Sequence, residues 1–345
     1  MSEAKEIVME DYELIASAEY IPWQKLKEKT ILITGATGLI GQNIVNALMY
    51  VNSKRDLNLK IVAVVRDMLK AEQLFEQNAN FVMIKSSVEL LSLEEVKIDY
   101  IIHGANPTAS SEFIHHPVET IKTAVLGTMN MLEIAKKNCV SGFAFLSTME
   151  VYGHPQKGHQ VSEAEVAGFD PTMIRNSYPM SKQLCEAMCC SYASEYHVPA
   201  MSIRLTQTFG PGVAYHDGRV FAEFMRCAVE KRDIVLKTKG ETERCYLYTA
   251  DAVLAILAVL LNGMPGECYT AANNQTYCSI ADMAKLVADE IADGKIGLTF
   301  DLQDAAQTGY ADTLFMNLDT SKLERLGWKA NTDLKSMFLR MIKSQ

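Results

Sequence analysis

The chain has no run of lysine or arginine, no Cys-x-x-Cys pair and no apolar stretch of the length that crosses a bilayer, and each absence removes a class of function. Without a basic run, and with a formal net charge of −9, it offers no electrostatic footprint for nucleic acid or an anionic membrane. An anionic small molecule is still served by a few placed arginines. Eight cysteines, at positions 139, 185, 189, 190, 227, 245, 268 and 278, show neither paired spacing nor histidines at ligand spacing. They read as reduced, mostly buried thiols, with no disulfide and no metal site expected. From Met1 to Tyr20 the chain carries acidic residues throughout, with no basic start and no apolar run. That argues against a signal peptide and makes the cytoplasm the expected location. What remains is 345 residues, 48% hydrophobic, enough to bury a large core in one domain or one and a half.

Apolar runs fall at residues 30–34, 60–65, 81–84, 100–103, 142–146 and 200–204, and helical patterns separate most of them, notably 117–137 and 179–196. Strands alternating with helices predict an α/β fold, a Rossmann-type doubly wound parallel sheet with right-handed crossovers. Residues 30–205 are assigned to this dinucleotide-binding domain. Residues 1–29 form an N-terminal extension, with a helical, partly acidic stretch at 9–29 whose role is not legible. Past the breakers Gly210-Pro211-Gly212 and Asp217-Gly218 the alternation loosens. Residues 206–345 are therefore assigned mainly to a smaller C-terminal substrate-binding lobe, with some elements returning to the Rossmann domain.

The segment Thr34-Gly35-Ala36-Thr37-Gly38-Leu39-Ile40-Gly41 closes the first apolar run and opens a helical pattern. A strand-turn-helix of this kind lets backbone approach a pyrophosphate, and a side chain at Gly35, Gly38 or Gly41 would hold the phosphate off or spoil the helix-strand contact. After the second run come Arg66 and Asp67. An acidic residue there selects NAD by accepting the ribose hydroxyls, whereas Arg66 suits a 2′-phosphate, so NAD and NADP both stand as cofactor expectations. About 140 residues downstream, Tyr178-Pro-Met-Ser-Lys182 puts a tyrosine and a lysine on one helix face, with Pro179 suited to the first turn. The ammonium is expected to favour the phenolate and lower the tyrosine pKa, so that Tyr178 takes a hydroxyl proton while hydride leaves the same carbon. Thr148, just past the 142–146 run, supplies a hydroxyl for that same oxygen. His103, at the end of another run, reads as a packed residue.

The set formed by these segments with Asp99-Tyr-Ile-Ile-His-Gly-Ala105, Gly127-Thr128, Ser147-Thr-Met-Glu-Val-Tyr-Gly153, Phe209-Gly210-Pro211-Gly212 and Leu326-Gly327-Trp328 resembles the extended short-chain dehydrogenase/reductase family. Within it, the pattern is similar to the nucleotide-sugar epimerases, dehydratases and decarboxylases, and nearest to UDP-glucuronate decarboxylases. The resemblance implies that Thr148, Tyr178, Lys182 and Glu150 are catalytic. It implies that Gly35, Thr37, Gly38, Leu39, Ile40, Gly41, Arg66, Asp67, Ala105, Tyr178 and Lys182 meet the cofactor. The substrate, a nucleoside-diphosphate sugar, would meet Met149, Glu150, Arg175, Gln207, Arg219 and Arg244. The family reaction begins by oxidising sugar C4 to a ketone, and the subclass decides whether epimerisation, decarboxylation, dehydration or reduction follows.

Subclass signals in the sequence conflict. Met149 stands where dehydratases place a proton-donating aspartic acid and decarboxylases a serine or threonine, and Gln207 stands where decarboxylases have asparagine. Arg175, Arg219 and Arg244 still resemble arginines that contact the sugar carboxylate and the diphosphate. The principal expectation is C4 oxidation followed by epimerisation or decarboxylation. Alternatives are a 4,6-dehydratase, an NADPH-dependent reductase of a nucleotide-linked keto sugar or alditol, and, from another class, a dinucleotide-binding sensor without catalysis. A homodimer paired through the 117–137 and 179–196 helices is what the resemblance implies for assembly.

Overall fold

A computed structural model describes residues 2–93, 96–107, 110–302 and 313–345. The chain opens with α1 (Glu3–Ala16), then β1 (Thr30–Thr34), α2 (Leu39–Arg55), β2 (Lys60–Val65), α3 (Met68–Leu74), β3 (Phe81–Lys85) and β4 (Tyr100–His103). It continues through α4 (Ser110–His115), α5 (Pro117–Asn138), β5 (Gly142–Thr148), β6 (Gln160–Val161), α6 (Ser177–Tyr196), β7 (Ala200–Leu205) and β8 (Gln207–Phe209). The remainder comprises α7 (Val220–Glu230), β9 (Ile234–Leu236), β10 (Glu243–Tyr248), α8 (Thr249–Asn262), β11 (Cys268–Ala271), β12 (Asn273–Ser279), α9 (Ile280–Leu286), β13 (Leu298–Phe300), β14 (Phe315–Leu318), α10 (Ser321–Glu324) and α11 (Leu334–Lys343).

Seven strands form one sheet in the order β11-β7-β5-β4-β1-β2-β3, with every pairing parallel. Both faces are covered, which is why these strands read as continuous apolar runs rather than alternating ones. On one face α2 contributes Ile44, Val45 and Leu48, and α8 is buried from Thr249 to Leu261. On the other, Met131 and Leu132 of α5 pack with Cys185 and Cys189 of α6. The strand order reverses between β1 and β4, and in an open sheet of this type a ligand crevice lies beyond the carboxyl ends at that reversal. The glycine turn after β1 is at that point.

A second sheet, β12-β10-β14-β6 with β8 beside β10, and a two-stranded pair, β13-β9, come from the later part of the chain except for β6, which lies between β5 and α6. The edge strand β11 of the main sheet also comes from beyond residue 205.

The N-terminal helix differs from expectation. It runs over Glu3–Ala16 and is followed by a short 3-10 turn at Trp23–Leu26, rather than being helical over 9–29. Glu3 and Glu6 in the first turn suit the helix dipole. Ile15, Ala16, Ile21, Trp23 and Leu26 are buried in the main core. Asp11 accepts from the Tyr248 hydroxyl at 2.7 Å and from Arg340 at 2.8 Å, so the segment is tied to both β10 and α11.

Candidate active site

Backbone constraints build the first part of the site. Gly35 has φ of +70°, and a Cβ there would come within 2.7 Å of the Gly104 backbone. A Cβ at Gly41 would overlap the Gly35 carbonyl oxygen and approach Ala36 Cα to 2.8 Å. The turn therefore closes against the end of β4 only with glycine in these places. Gly38 is the N-cap of α2 and supplies no side-chain cap, so the first-turn N–H groups face the crevice with a positive helix end behind them. This cradle fits a dinucleotide pyrophosphate.

The crevice continues into a cavity of about 1710 Å³. Thr37, Leu39, Ile40 and Gly41 border it at one end, with Ala105 beyond β4. Thr148, Met149, Glu150, Arg175, Tyr178, Lys182, Gln207, Arg219 and Arg244 line the rest. Residues dispersed over more than two hundred positions are thus brought to one space. Asp67 is the exception: its carboxylate accepts the Lys70 backbone N–H at 3.1 Å as the N-cap of α3, and it is not among the lining residues, whereas Arg66 is. Capping satisfies one orphan donor at the start of α3.

Tyr178 is buried at the start of α6, its ring stacked on Phe113 with centroids 4.1 Å apart and planes 6° from parallel. It is hydrogen-bonded to Thr148. One helical turn on, the Lys182 ammonium donates to the Leu146 carbonyl at 2.7 Å and lies 5.9 Å from the Tyr178 ring centroid. Burial lowers the Lys182 pKa from the ordinary lysine range to about 8. Tyr178 moves against the expectation drawn from the spacing. Burial, and then the Glu150 carboxylate, push its hydroxyl well above its ordinary value and outweigh the Thr148 hydrogen bond and the Arg175 charge. Four-residue spacing aligns the two side chains, yet the ammonium is directed to a carbonyl and burial dominates the tyrosine.

Glu150 follows Thr148 in a short 3-10 turn, its N–H donating to the Thr148 hydroxyl oxygen at 3.3 Å. Its carboxylate accepts from Arg175 at 2.7 Å, and both side chains are about one-third exposed. The Arg175 guanidinium lies 5.1 Å from the Phe113 ring. Met149 is buried, its sulfur 3.1 Å from the Thr206 hydroxyl. Arg219 is engaged bidentately by Asp217 at 2.9 and 2.7 Å. Gln207 Oε1 and Arg244 Nε are buried without a partner.

Several participants were not found in the sequence. Phe113 is one, and no spacing from Tyr178 would have shown it. Another is a buried network beneath the site: Glu186, one turn after Lys182, accepts from Ser147 at 2.5 Å and from Arg204 Nη2 at 2.7 Å and Nε at 3.0 Å. Arg204 also donates to the Glu163 carbonyl at 2.9 Å. His103 is buried between Thr34 at 2.7 Å and Thr128 at 3.1 Å, and burial lowers its pKa to about 3. It is a neutral packing residue.

The model of the NAD dependent epimerase/dehydratase family matches residues 31–272. UDP-glucuronic acid decarboxylase 1 of Xenopus tropicalis is 30% identical over 320 residues, spanning 90% of this chain and 71% of that protein. Among solved structures, UDP-glucose 4-epimerase of Thermotoga maritima with UDP-glucose superposes with a TM-score of 0.77 at 22% identity, over 91% of this chain and 98% of its own. UDP-glucuronic acid 4-epimerase of Bacillus cereus in complex with NAD gives 0.74 at 22% identity, over 91% and 98%. These two structural likenesses show the fold alone. No helix among the described residues is long and apolar enough to cross a membrane.

Proposed function

The chain belongs to the NAD dependent epimerase/dehydratase family, and from that membership we propose that it is an NAD-dependent enzyme acting on a nucleoside-diphosphate sugar by oxidation at C4, followed by epimerisation or decarboxylation. The observation that carries this reading is the convergence of Thr148, Tyr178, Lys182 and Glu150 in a cavity continuous with the glycine cradle. Membership of an NAD dependent family supports NAD as the cofactor; Arg66 on the cavity wall leaves NADP open.

The glycine turn and the first turn of α2 would hold the pyrophosphate, with Ala105 and Arg66 bordering the rest of the cofactor. When bound, the dinucleotide would supply reversible hydride acceptance and, in its oxidised form, a positive charge that would favour the tyrosinate. Thr148 and Tyr178 together hold the C4 hydroxyl, and Tyr178 takes its proton. Lys182, pinned to Leu146, provides the cation behind the tyrosine. Once C4 is a ketone, the adjacent C5 carries an acidified proton or a labile carboxylate. Glu150 stands beside Tyr178 as the base or orienting group for that carbon, with Arg175 holding its carboxylate in place. The unpartnered Arg244 Nε and Gln207 Oε1 are disposed to meet the diphosphate or sugar.

In this reading residues 30–205 bind the cofactor and residues 206–345 supply most of the substrate lobe. A homodimer through α5 and α6 suits the exposed Ile121, Leu126, Met129 and Leu184 on those helices.

Incubation with UDP-, CDP-, dTDP- and GDP-sugars, UDP-glucuronate included, followed by mass spectrometry, tests the proposal. Loss of carbon dioxide identifies a decarboxylase, and an isomer of unchanged mass an epimerase. Loss of water or gain of two hydrogens would replace the present reading with dehydration or reduction. No product from any of them, with no reduction of the cofactor, would refute catalysis on nucleotide sugars.

A further inference from the structure

Asn106 follows the end of β4 and lines the same cavity as the glycine turn and Tyr178. The backbone ahead of it is anchored, since Gly104 and Ala105 both donate their N–H groups to the Thr34 hydroxyl at 3.2 Å. Its side chain is not. Both Asn106 Nδ2 and Oδ1 are buried, and neither has a hydrogen-bond partner. A buried carboxamide with neither end satisfied costs about 1–3 kcal/mol per group and is rare enough in native proteins to require a reason. A simply structural residue at this site would be apolar, or bonded to Thr34 as its neighbours are.

We propose that Asn106 is a ligand-binding, specificity-determining residue whose carboxamide takes a vicinal diol. The donor and acceptor of an asparagine side chain lie side by side in one plane. Their complement is a pair of adjacent groups, one accepting and one donating, as neighbouring hydroxyls on a five- or six-membered sugar ring provide. The two ligands expected in this cavity under the function proposed above, on which the inference rests, both carry such rings: the dinucleotide through its two riboses, the substrate through its nucleoside ribose and its sugar. Asn106 discriminates by rejecting a ring that lacks one of the two hydroxyls, because a deoxygenated ring leaves a buried amide group unpaired.

The test uses the full chain with Asn106→Leu, which keeps the shape and removes both polar groups, and with Asn106→Ser in case the leucine variant does not fold. The probes are NADH, titrated by fluorescence, and UDP-glucose, titrated by calorimetry onto the NAD-loaded protein. The dissociation constant of one probe is expected to rise about 10- to 100-fold, while the thermal midpoint of the chain without either probe stays level or rises. Weaker NADH binding assigns a diol of the dinucleotide; weaker UDP-glucose binding with NADH unchanged assigns a diol of the substrate. Unchanged affinity for both overturns the proposal, whatever the thermal midpoint does. Weaker NADH binding combined with no turnover of any nucleotide sugar would uphold Asn106 and refute the wider functional reading.

Discussion

Removing Arg204 should cost far more than its distance from the reacting atoms suggests. Arg204 and Glu186 are among the most buried charges described, with side chains 4% and 7% exposed, and their pairing is bidentate. Truncating one partner leaves the other charge in a low-dielectric interior, which costs about 3–5 kcal/mol. For 345 residues the entropy of unfolding is about 0.7 kcal/mol per kelvin. Arg204→Met should therefore lower the thermal midpoint by roughly 4–7 °C. Glu186→Leu should do the same. The double variant should recover most of the loss, since a well-packed apolar pair is often as stable as the ion pair it replaces. Thermal melts followed by circular dichroism, with urea titrations for the free energies, read all four proteins. Because Glu186 also accepts from Ser147, next to Thr148, the single variants should in addition slow turnover. Additive losses in the double variant, or a loss below about 1 kcal/mol in either single one, would refute the claim that burial makes this pair energetically decisive.

Tyr178→Phe should lower kcat about 10²- to 10⁴-fold while NADH affinity, read by fluorescence, stays near that of the parent chain; turnover at the parent rate would remove Tyr178 from the mechanism. Gly41→Ala should weaken NADH at least about tenfold, because the new Cβ meets the Gly35 carbonyl and Ala36 Cα, and unaltered binding would count against the pyrophosphate cradle. Lys182 has its folded pKa lowered from 10.5 to about 8. Between those values the unfolded chain keeps the proton and the folded chain releases it, so this group's contribution to stability rises with pH and its destabilisation is complete below about pH 8. Lys182→Met should accordingly gain roughly 3 kcal/mol relative to the parent at pH 7 compared with pH 11, and equal urea-midpoint differences at the two pH values would contradict a charged, buried lysine.

Sequence reading located the features that local geometry dictates. The glycine turn was legible because backbone crowding at Gly35 and Gly41 admits one residue type, and the Tyr178–Lys182 alignment because the helical period is invariant. The fold class was legible for the same reason: alternating strand runs and helical patterns allow few topologies. Position at a strand end did not reveal that the Asp67 carboxylate caps α3 by accepting the Lys70 N–H. The direction of the Tyr178 shift was misread because it depends on burial and on Glu150, which spacing from Lys182 cannot report.

Sequence alone determined the strand-turn-helix, the face shared by tyrosine and lysine, and the parallel, doubly wound class of the main sheet, all consequences of interactions within a few residues or of short, right-handed connections. Tertiary structure decided which distant side chains meet. Phe113 against Tyr178, Arg204 against Glu186, Arg175 against Glu150 and α1 against the last helix each depend on the packing of separate elements. So does the unsatisfied amide of Asn106, whose surroundings exist only once β4 has closed against the glycine turn. Solvation and charge at the site are properties of that packing, and they set the protonation of Lys182 and Tyr178.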